Sequence, residues 1–354
     1  MRVGIVGCGV IAKLHIKHLL AQGHKIVGVA DMDRNRAEEM CRKLCLEQPY
    51  EDLSQLLEDQ KPGAIHITTP PSSHAKLSIQ ALEAGCHVLV EKPMALTISD
   101  ADKMIEVAQQ QGRMLSVGHT QHFVPVIQKA YKLFEQGKLG KVLSVEAHIA
   151  VDPSTHLQDT QRCHWKEDLP GGLCYDLAPH AIYPLFPFTG KFQKILPLVC
   201  KTGLLPLDYP DEIQVLIEGD KAIGMFRVSL NTQPPMCYLN VYGTKMSLRI
   251  NLTTMMLISR RIRPLQHMVS KVLYHCEESL QIIFGICNRM LQVLTGGLRT
   301  GDEHGVLIRK FYDSIESGAA PPVPPEEGRE VSRVLETIWG PKHPPSFHFD
   351  TTIK

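Results

Sequence analysis

The 354 residues are 44% apolar and 21% charged, and 38 Lys and Arg against 37 Asp and Glu leave a formal net charge of +1. A chain of this size can bury cores for two domains, and its near-neutrality excludes the clearly basic class of nucleic-acid binders. No run of about 18 apolar residues predicts a transmembrane helix, no signal peptide is expected ahead of the opening strand, and ten scattered cysteines suit free thiols in a reducing cytoplasm.

Arg2–Val6 reads as a short apolar strand that runs into Gly7-Cys8-Gly9-Val10-Ile11-Ala12 and then a helix to about Leu20. A Gly-x-Gly-x-x-Ala turn between strand and helix has a physical use. Gly7 turns the chain tightly, Gly9 leaves room for a pyrophosphate, Ala12 lets helix and sheet pack closely, and the helix N-terminus faces the anion. A second strand, Ile26–Ala30, ends at Asp31, about 20 residues on, where a dinucleotide fingerprint expects an acid. That carboxylate can accept hydrogen bonds from the adenine ribose and would repel a 2′-phosphate. NAD(H) is therefore expected in preference to NADP(H), and Arg34 is close enough to stack on adenine or soften the preference. Asp31 also has a plainer reading as a cap or turn residue.

Helical stretches follow at Asp33–Leu46 and Asp52–Leu57, then the strand Ala64–Thr68 and the loop Thr69-Pro70-Pro71-Ser72-Ser73-His74. Ser72 or Ser73 can cap the helix Ala75–Ala84, which Gly85 ends. The run Val88–Val90 reads as a buried strand and stops abruptly at Glu91-Lys92-Pro93. Ligands of open α/β sheets bind beyond the carboxyl ends of the strands, which makes Lys92 a candidate for chemistry. The helix Ala101–Gln111 and the strand Met114–Val117 complete the alternation. It predicts an α/β Rossmann domain with a doubly wound parallel sheet over residues 1–120.

Residues 121–354 read differently. A helix over Val126–Gln136 and a strand over Lys141–Ala150 precede Trp165 and the cluster Gly171-Gly172-Leu173-Cys174-Tyr175-Asp176-Leu177-Ala178-Pro179-His180. Gly171 and Gly172 allow close approach of backbone and ligand, and a helix would set Asp176 and His180 on one face. Strands at Ile195–Lys201, Glu212–Glu218, Ala222–Leu230, Cys237–Tyr242 and Met246–Asn251 follow without intervening helices, which fits an antiparallel sheet. A helical insertion is expected near 255–300, where Arg260, Arg261 and Arg263 precede the apolar Leu280–Leu294. It reads as helices packed on the sheet or a neighbouring subunit, as a phosphate clamp, or as a contact for an anionic membrane. Helices are expected again at His304–Ser317 and Glu327–Ile338. His164, the pair His119 and His122, and Cys41-x-x-x-Cys45 lack zinc spacing, so no metal is expected.

Taken in order, the glycine turn, Asp31, Thr69-Pro70-Pro71-Ser72-Ser73-His74, Glu91-Lys92-Pro93 and the Gly171-to-His180 cluster resemble the Gfo/Idh/MocA family. These are the glucose–fructose oxidoreductase, inositol dehydrogenase and rhizopine-catabolism relatives. The resemblance covers nearly the whole chain. It implies a Rossmann domain followed by an α+β domain with a large, mostly antiparallel sheet, and NAD(P)-dependent oxidation or reduction at a sugar, cyclitol or nucleotide-sugar carbon. It implies cofactor contacts from Gly7, Gly9, Val10, Ile11, Asp31, Arg34, Thr69, Pro70, His74, Glu91 and Lys92. The catalytic group it implies is Lys92, Asp176 and His180, with Gln121 and Trp165 also at the substrate. A homodimer or homotetramer through the C-terminal sheet is expected with it. Relatives acting on nucleotide sugars carry Glu and Arg where this chain has Gln121 and His122, which leaves their substrate class open here. An NAD-dependent glycoside hydrolase and a non-catalytic NAD- or sugar-binding sensor are the rival readings.

Overall fold

Short β-branched strands broken by glycines, prolines and capped helices build the first part of the chain. Residues 1–152, 164–263, 267–295, 302–340 and 347–348 are described by the computed structural model. The chain divides into two units, Met1–Phe123 with Asp302–Glu336, and Val124–Gly301 with Thr337–Lys354. The boundary expected after residue 120 thus falls after Phe123, and residues 302–336, expected in the second domain, return to the first.

The first unit runs β1 (Arg2–Val6), α1 (Val10–Ala21), β2 (Lys25–Ala30), α2 (Arg34–Leu44), α3 (Leu53–Gln60), β3 (Ala64–Ile67), α4 (His74–Glu83), β4 (His87–Val90), α5 (Ile98–Gln110) and β5 (Leu115–Val117). Its strands lie in the order β2-β1-β3-β4-β5 and all pair in parallel. Strands buried on both faces need apolar residues throughout, and Ile5, Ile65, Ile67, Val88, Leu89 and Val90 are fully buried. Side chains capping backbone N–H groups start the helices: Asp33 accepts from Asn35, Asp52 from Gln55 and Thr97 from Asp100. Ser73 sits at the N-cap of α4 without capping it, because its hydroxyl bonds Thr69 and the Pro70 carbonyl instead.

The second unit begins with α6 (Pro125–Glu135) and β6 (Val142–Ala150), then α7 (Gly172–Ile182), α8 (Phe186–Thr189), β7 (Phe192–Lys201), β8 (Glu212–Gly219), β9 (Ile223–Ser229), β10 (Met236–Gly243), β11 (Met246–Asn251), β12 (Met256–Arg261) and α9 (His267–Leu294). The chain then returns to the first unit through α10 (Glu303–Ser317) and most of α11 (Pro325–Trp339), and β13 (Phe347–His348) closes the second sheet. That sheet has eight strands in the order β12-β11-β10-β6-β9-β8-β7-β13, antiparallel except for β6 with β9 and β7 with β13. The expected α/β plus α+β class is the observed one. Within the insertion expected near 255–300, Met256–Arg261 is instead a strand: alternating side chains let it extend the sheet from β11, and only α9 is helical among the described residues there.

Candidate active site

Parallel strands open their carboxyl ends on one edge of a sheet, so the loops after β1, β3 and β4 share that edge. Gly7, after β1, has φ +90°, and a methyl group there would stand 2.8 Å from the Thr68 carbonyl carbon and oxygen. Only glycine fits both the left-handed backbone and this approach. Gly9 is the N-cap of α1 without a side-chain cap, and a methyl group on it would meet nothing within 4 Å. Val10, the first helical residue, is 76% exposed. Uncapped N–H groups, open space and a helix N-terminus fit the pyrophosphate of a dinucleotide. Asp31 braces this turn: one carboxylate oxygen accepts from Cys8 N at 2.7 Å and the other from Asp33 N at 2.8 Å. Its structural use and a ribose contact are compatible, since each oxygen keeps a further lone pair. Arg34 is drawn away to Glu38 and Glu51, each at 2.9 Å.

The loop after β4 is held from behind. Glu91 is 8% exposed, and its Oε1 lies 3.0 Å from His15 Nε2. His15 Nδ1 is 2.8 Å from His66 Nδ1, and His66 Nε2 is 2.9 Å from the Tyr312 hydroxyl. Burial pushes His66 well below and Tyr312 well above their ordinary pKa, which keeps both neutral. At the end of this row His15 Nε2–H donates to Glu91. Burial alone would raise the Glu91 carboxyl, but the His15 hydrogen bond and the charges of His15, His304 and Lys92 outweigh it and hold it at about 2. Lys92 is half-buried and precedes a cis peptide at Pro93. Buried His74 ties the loops together, with Nε2 2.8 Å from the Thr69 carbonyl and Nδ1 2.8 Å from the Pro93 carbonyl. Thr69 and Pro70 line the loop that His74 fixes. Gly118 completes the backing, since a methyl group there would come within 3.0 Å of the Glu91 carboxylate.

Gln121 sits half-buried in the 3-10 turn Thr120–Phe123. Its neighbours His119 and His122 both reach Glu327 Oε1, at 2.5 and 2.8 Å. Sequence spacing missed this group and the His15, Glu91 and His304 group, because each draws a member from more than 200 residues away. In each, one donor atom per residue lies within 4.8 Å of the others, close enough for a cation to be held. Hydrogen bonds already join the carboxylates to His15, His119 and His122.

In the second unit, α7 carries Asp176 and His180 one turn apart, as their spacing predicts. Asp176 is buried and pairs with Lys166 at 3.2 Å, and His180 Nδ1 lies 3.0 Å from the Tyr183 hydroxyl. Neither partner was singled out from the sequence. Half-buried Trp165 lies beneath the Lys166 ammonium, 5.7 Å from its ring. Gly171 and Gly172 serve side chains of this same chain rather than the expected ligand. A methyl group on Gly171 would stand 2.2 Å from Trp339 Nε1, and one on Gly172 2.4 Å from the Tyr209 ring.

Residues 1–119 match the family profile described as "Oxidoreductase family, NAD-binding Rossmann fold", and residues 127–249 match the GFO/IDH/MocA C-terminal domain. Oxidoreductase P35 of Formosa agariphila is 28% identical over 203 residues, 56% of this chain and 63% of that protein. Myo-inositol 2-dehydrogenase of Thermotoga maritima is 30% identical over 183 residues, 51% of this chain and 52% of that protein. The chain therefore spans about half the length of the curated relatives it matches. Among solved structures, the WlbA dehydrogenase from Bordetella pertussis, in complex with NADH and UDP-GlcNAcA, is 19% identical with a TM-score of 0.77 over 95% of this chain and 93% of that one. Levoglucosan dehydrogenase, in complex with NADH and levoglucosan, is 20% identical with a TM-score of 0.75 over 95% of each chain.

Proposed function

Since the chain belongs to the Gfo/Idh/MocA oxidoreductase family, with an NAD-binding Rossmann domain, we propose that it is an NAD(P)-dependent dehydrogenase acting on a CH–OH group of a sugar, cyclitol or nucleotide sugar. The observation that carries the reading is Lys92 at the end of β4, on the same sheet edge as the Gly7–Gly9 turn and braced by Glu91 and His74. Gly7, Gly9, Val10, Ile11, Thr69, Pro70 and His74 would form the cofactor side. Asp31 favours NAD(H), and Arg34, engaged by Glu38 and Glu51, offers little to a 2′-phosphate.

Held by the Gly7–Gly9 turn and the loop after β3, the dinucleotide would supply a hydride acceptor for the carbinol carbon. Lys92 donates a hydrogen bond to the reacting oxygen and stabilises its developing charge. His180 takes the hydroxyl proton. Its Nδ1 is held by Tyr183, so Nε2 is the nitrogen assigned to proton transfer. Asp176, fixed by Lys166, orients the substrate through a neighbouring hydroxyl, while Gln121 and Trp165 shape the substrate side. No metal takes part in this scheme.

Assembly as a homodimer or homotetramer through the second sheet is supported by its outward residues Leu143, Leu196, Leu198, Leu216 and Ile223, all 48% exposed or more. No helix among the described residues is long and apolar enough to cross a membrane, and a cytoplasmic location is part of the proposal. The test is NAD+ and NADP+ reduction across sugars, cyclitols and nucleotide sugars. NADH formation supports the reading. Glycoside cleavage with retained cofactor, or binding without turnover on every substrate, would replace it.

A further inference from the structure

Helix α9 is mounted with its polar side on the sheet. Glu278 pairs with Arg249 and Arg260, and Glu277 with Arg263 at 2.5 Å. Gln281 accepts from Ser259 N at 2.9 Å, and the Tyr274 hydroxyl accepts from Arg263 N at 3.1 Å. Gly285 lets the helix approach β12, since a methyl group there would stand 2.7 Å from Met256. These contacts fix the rotation of the helix about its axis and turn its apolar side outward. Ten large apolar side chains on that side are 48–81% exposed, from Met268 at one end to Leu294 at the other. At about 100° per residue they fall within an arc of about 160° on a helix about 42 Å long.

We propose that this face is an interface with α9 of a second copy of the chain. Val269, Val272, Cys276, Ile283, Ile286 and Met290 follow the alternating three- and four-residue steps of a heptad seam, with Ser279 at the one remaining seam position among the exposed residues. That is the pattern by which two helices interlock. A specific interface buries about 800 Å² per partner, and ten large exposed apolar side chains along this helix offer area on that scale. No Asp, Glu, Lys or Arg stands among the seam residues, so two copies meet there without like-charge repulsion.

A lipid surface fits less well. Interfacial helices direct cations toward anionic headgroups, whereas Arg249, Arg260 and Arg263 are engaged by Glu277 and Glu278. The pairs of Arg260 and Arg263 likewise oppose a phosphate clamp built on those two arginines.

The test is the mass of the full chain by sedimentation or light scattering, for wild type, for the double variant Ile283→Lys, Ile286→Lys, and for Leu198→Lys on the outward face of the second sheet. All three sites are exposed, and matching thermal melts confirm intact folds. We expect an assembled wild type, an assembly of half the mass in the α9 variant, and a subunit dissociation constant raised about a hundredfold there. Leu198→Lys leaves the α9 pair in place, so failure of the sheet contact is distinguishable from failure of this one. A monomeric wild type, or an α9 variant of unchanged mass, would overturn the proposal. A monomer that co-sediments with phosphatidylserine vesicles would overturn it in favour of a membrane.

Discussion

Replacing Glu91 by Gln keeps the shape of the side chain behind Lys92 and removes its charge. The carboxyl ordinarily titrates near 4.5 and is held at about 2 in the folded protein. A depressed carboxylate contributes stability that is fully present above 4.5 and lost as pH falls through about 2. At about 1.4 kcal/mol per pKa unit, the contribution near neutrality is about 3 kcal/mol. The group is buried, so solvent screening reduces this little. Glutamine does not titrate, and its amide N–H₂ would face either the Lys92 N–H or the His15 N–H. Urea unfolding at pH 7 should therefore find Glu91→Gln less stable by about 2–3 kcal/mol. By pH 3 the wild type has lost about 2 kcal/mol of the Glu91 contribution, and the two proteins should converge by that amount. An equal stability difference at pH 7 and pH 3, or no difference at pH 7, would refute the charged Glu91–His15 brace.

Three further outcomes follow from the same structure. Gly7→Ala should destabilise the first unit by about 3 kcal/mol, from a left-handed φ and a backbone clash together, and abolish the thermal shift given by NAD. Lys166→Met removes the ion pair between Lys166 and buried Asp176 and should lower unfolding stability by about 3 kcal/mol, while Lys166→Arg retains most of it. Dialysis against EDTA should leave melting temperature and turnover unchanged. A drop restored by zinc would assign a cation to the His15, Glu91 and His304 group or to the His119, His122 and Glu327 group.

The elements nearest the cofactor edge were legible because their signals are local. Gly7, Gly9 and Asp31 lie within one strand–helix–strand unit, and apolar Val88–Val90 followed by Glu91-Lys92-Pro93 marks a strand end by composition alone. Asp176 and His180 share a helix face because their four-residue spacing matches the helical period. What holds these residues was not legible. The His15–His66–Tyr312 row and the His119–His122–Glu327 group join positions remote in sequence, and no periodicity reports such contacts. The two glycines before Asp176 read as room for a ligand, yet Trp339 and Tyr209 take that room. The arginines before α9 left packing, a phosphate clamp and a membrane contact open, and their partners Glu277 and Glu278, which engage Arg263 and Arg260, lie 14 and 18 residues further on.

The dehydrogenase assignment is tested most directly by comparing wild type with Lys92→Ala on the substrate that a cofactor-reduction screen identifies. The variant should bind NAD as wild type does, measured by thermal shift or fluorescence, while kcat falls by about a hundredfold or more. Wild-type turnover by Lys92→Ala would contradict the assignment.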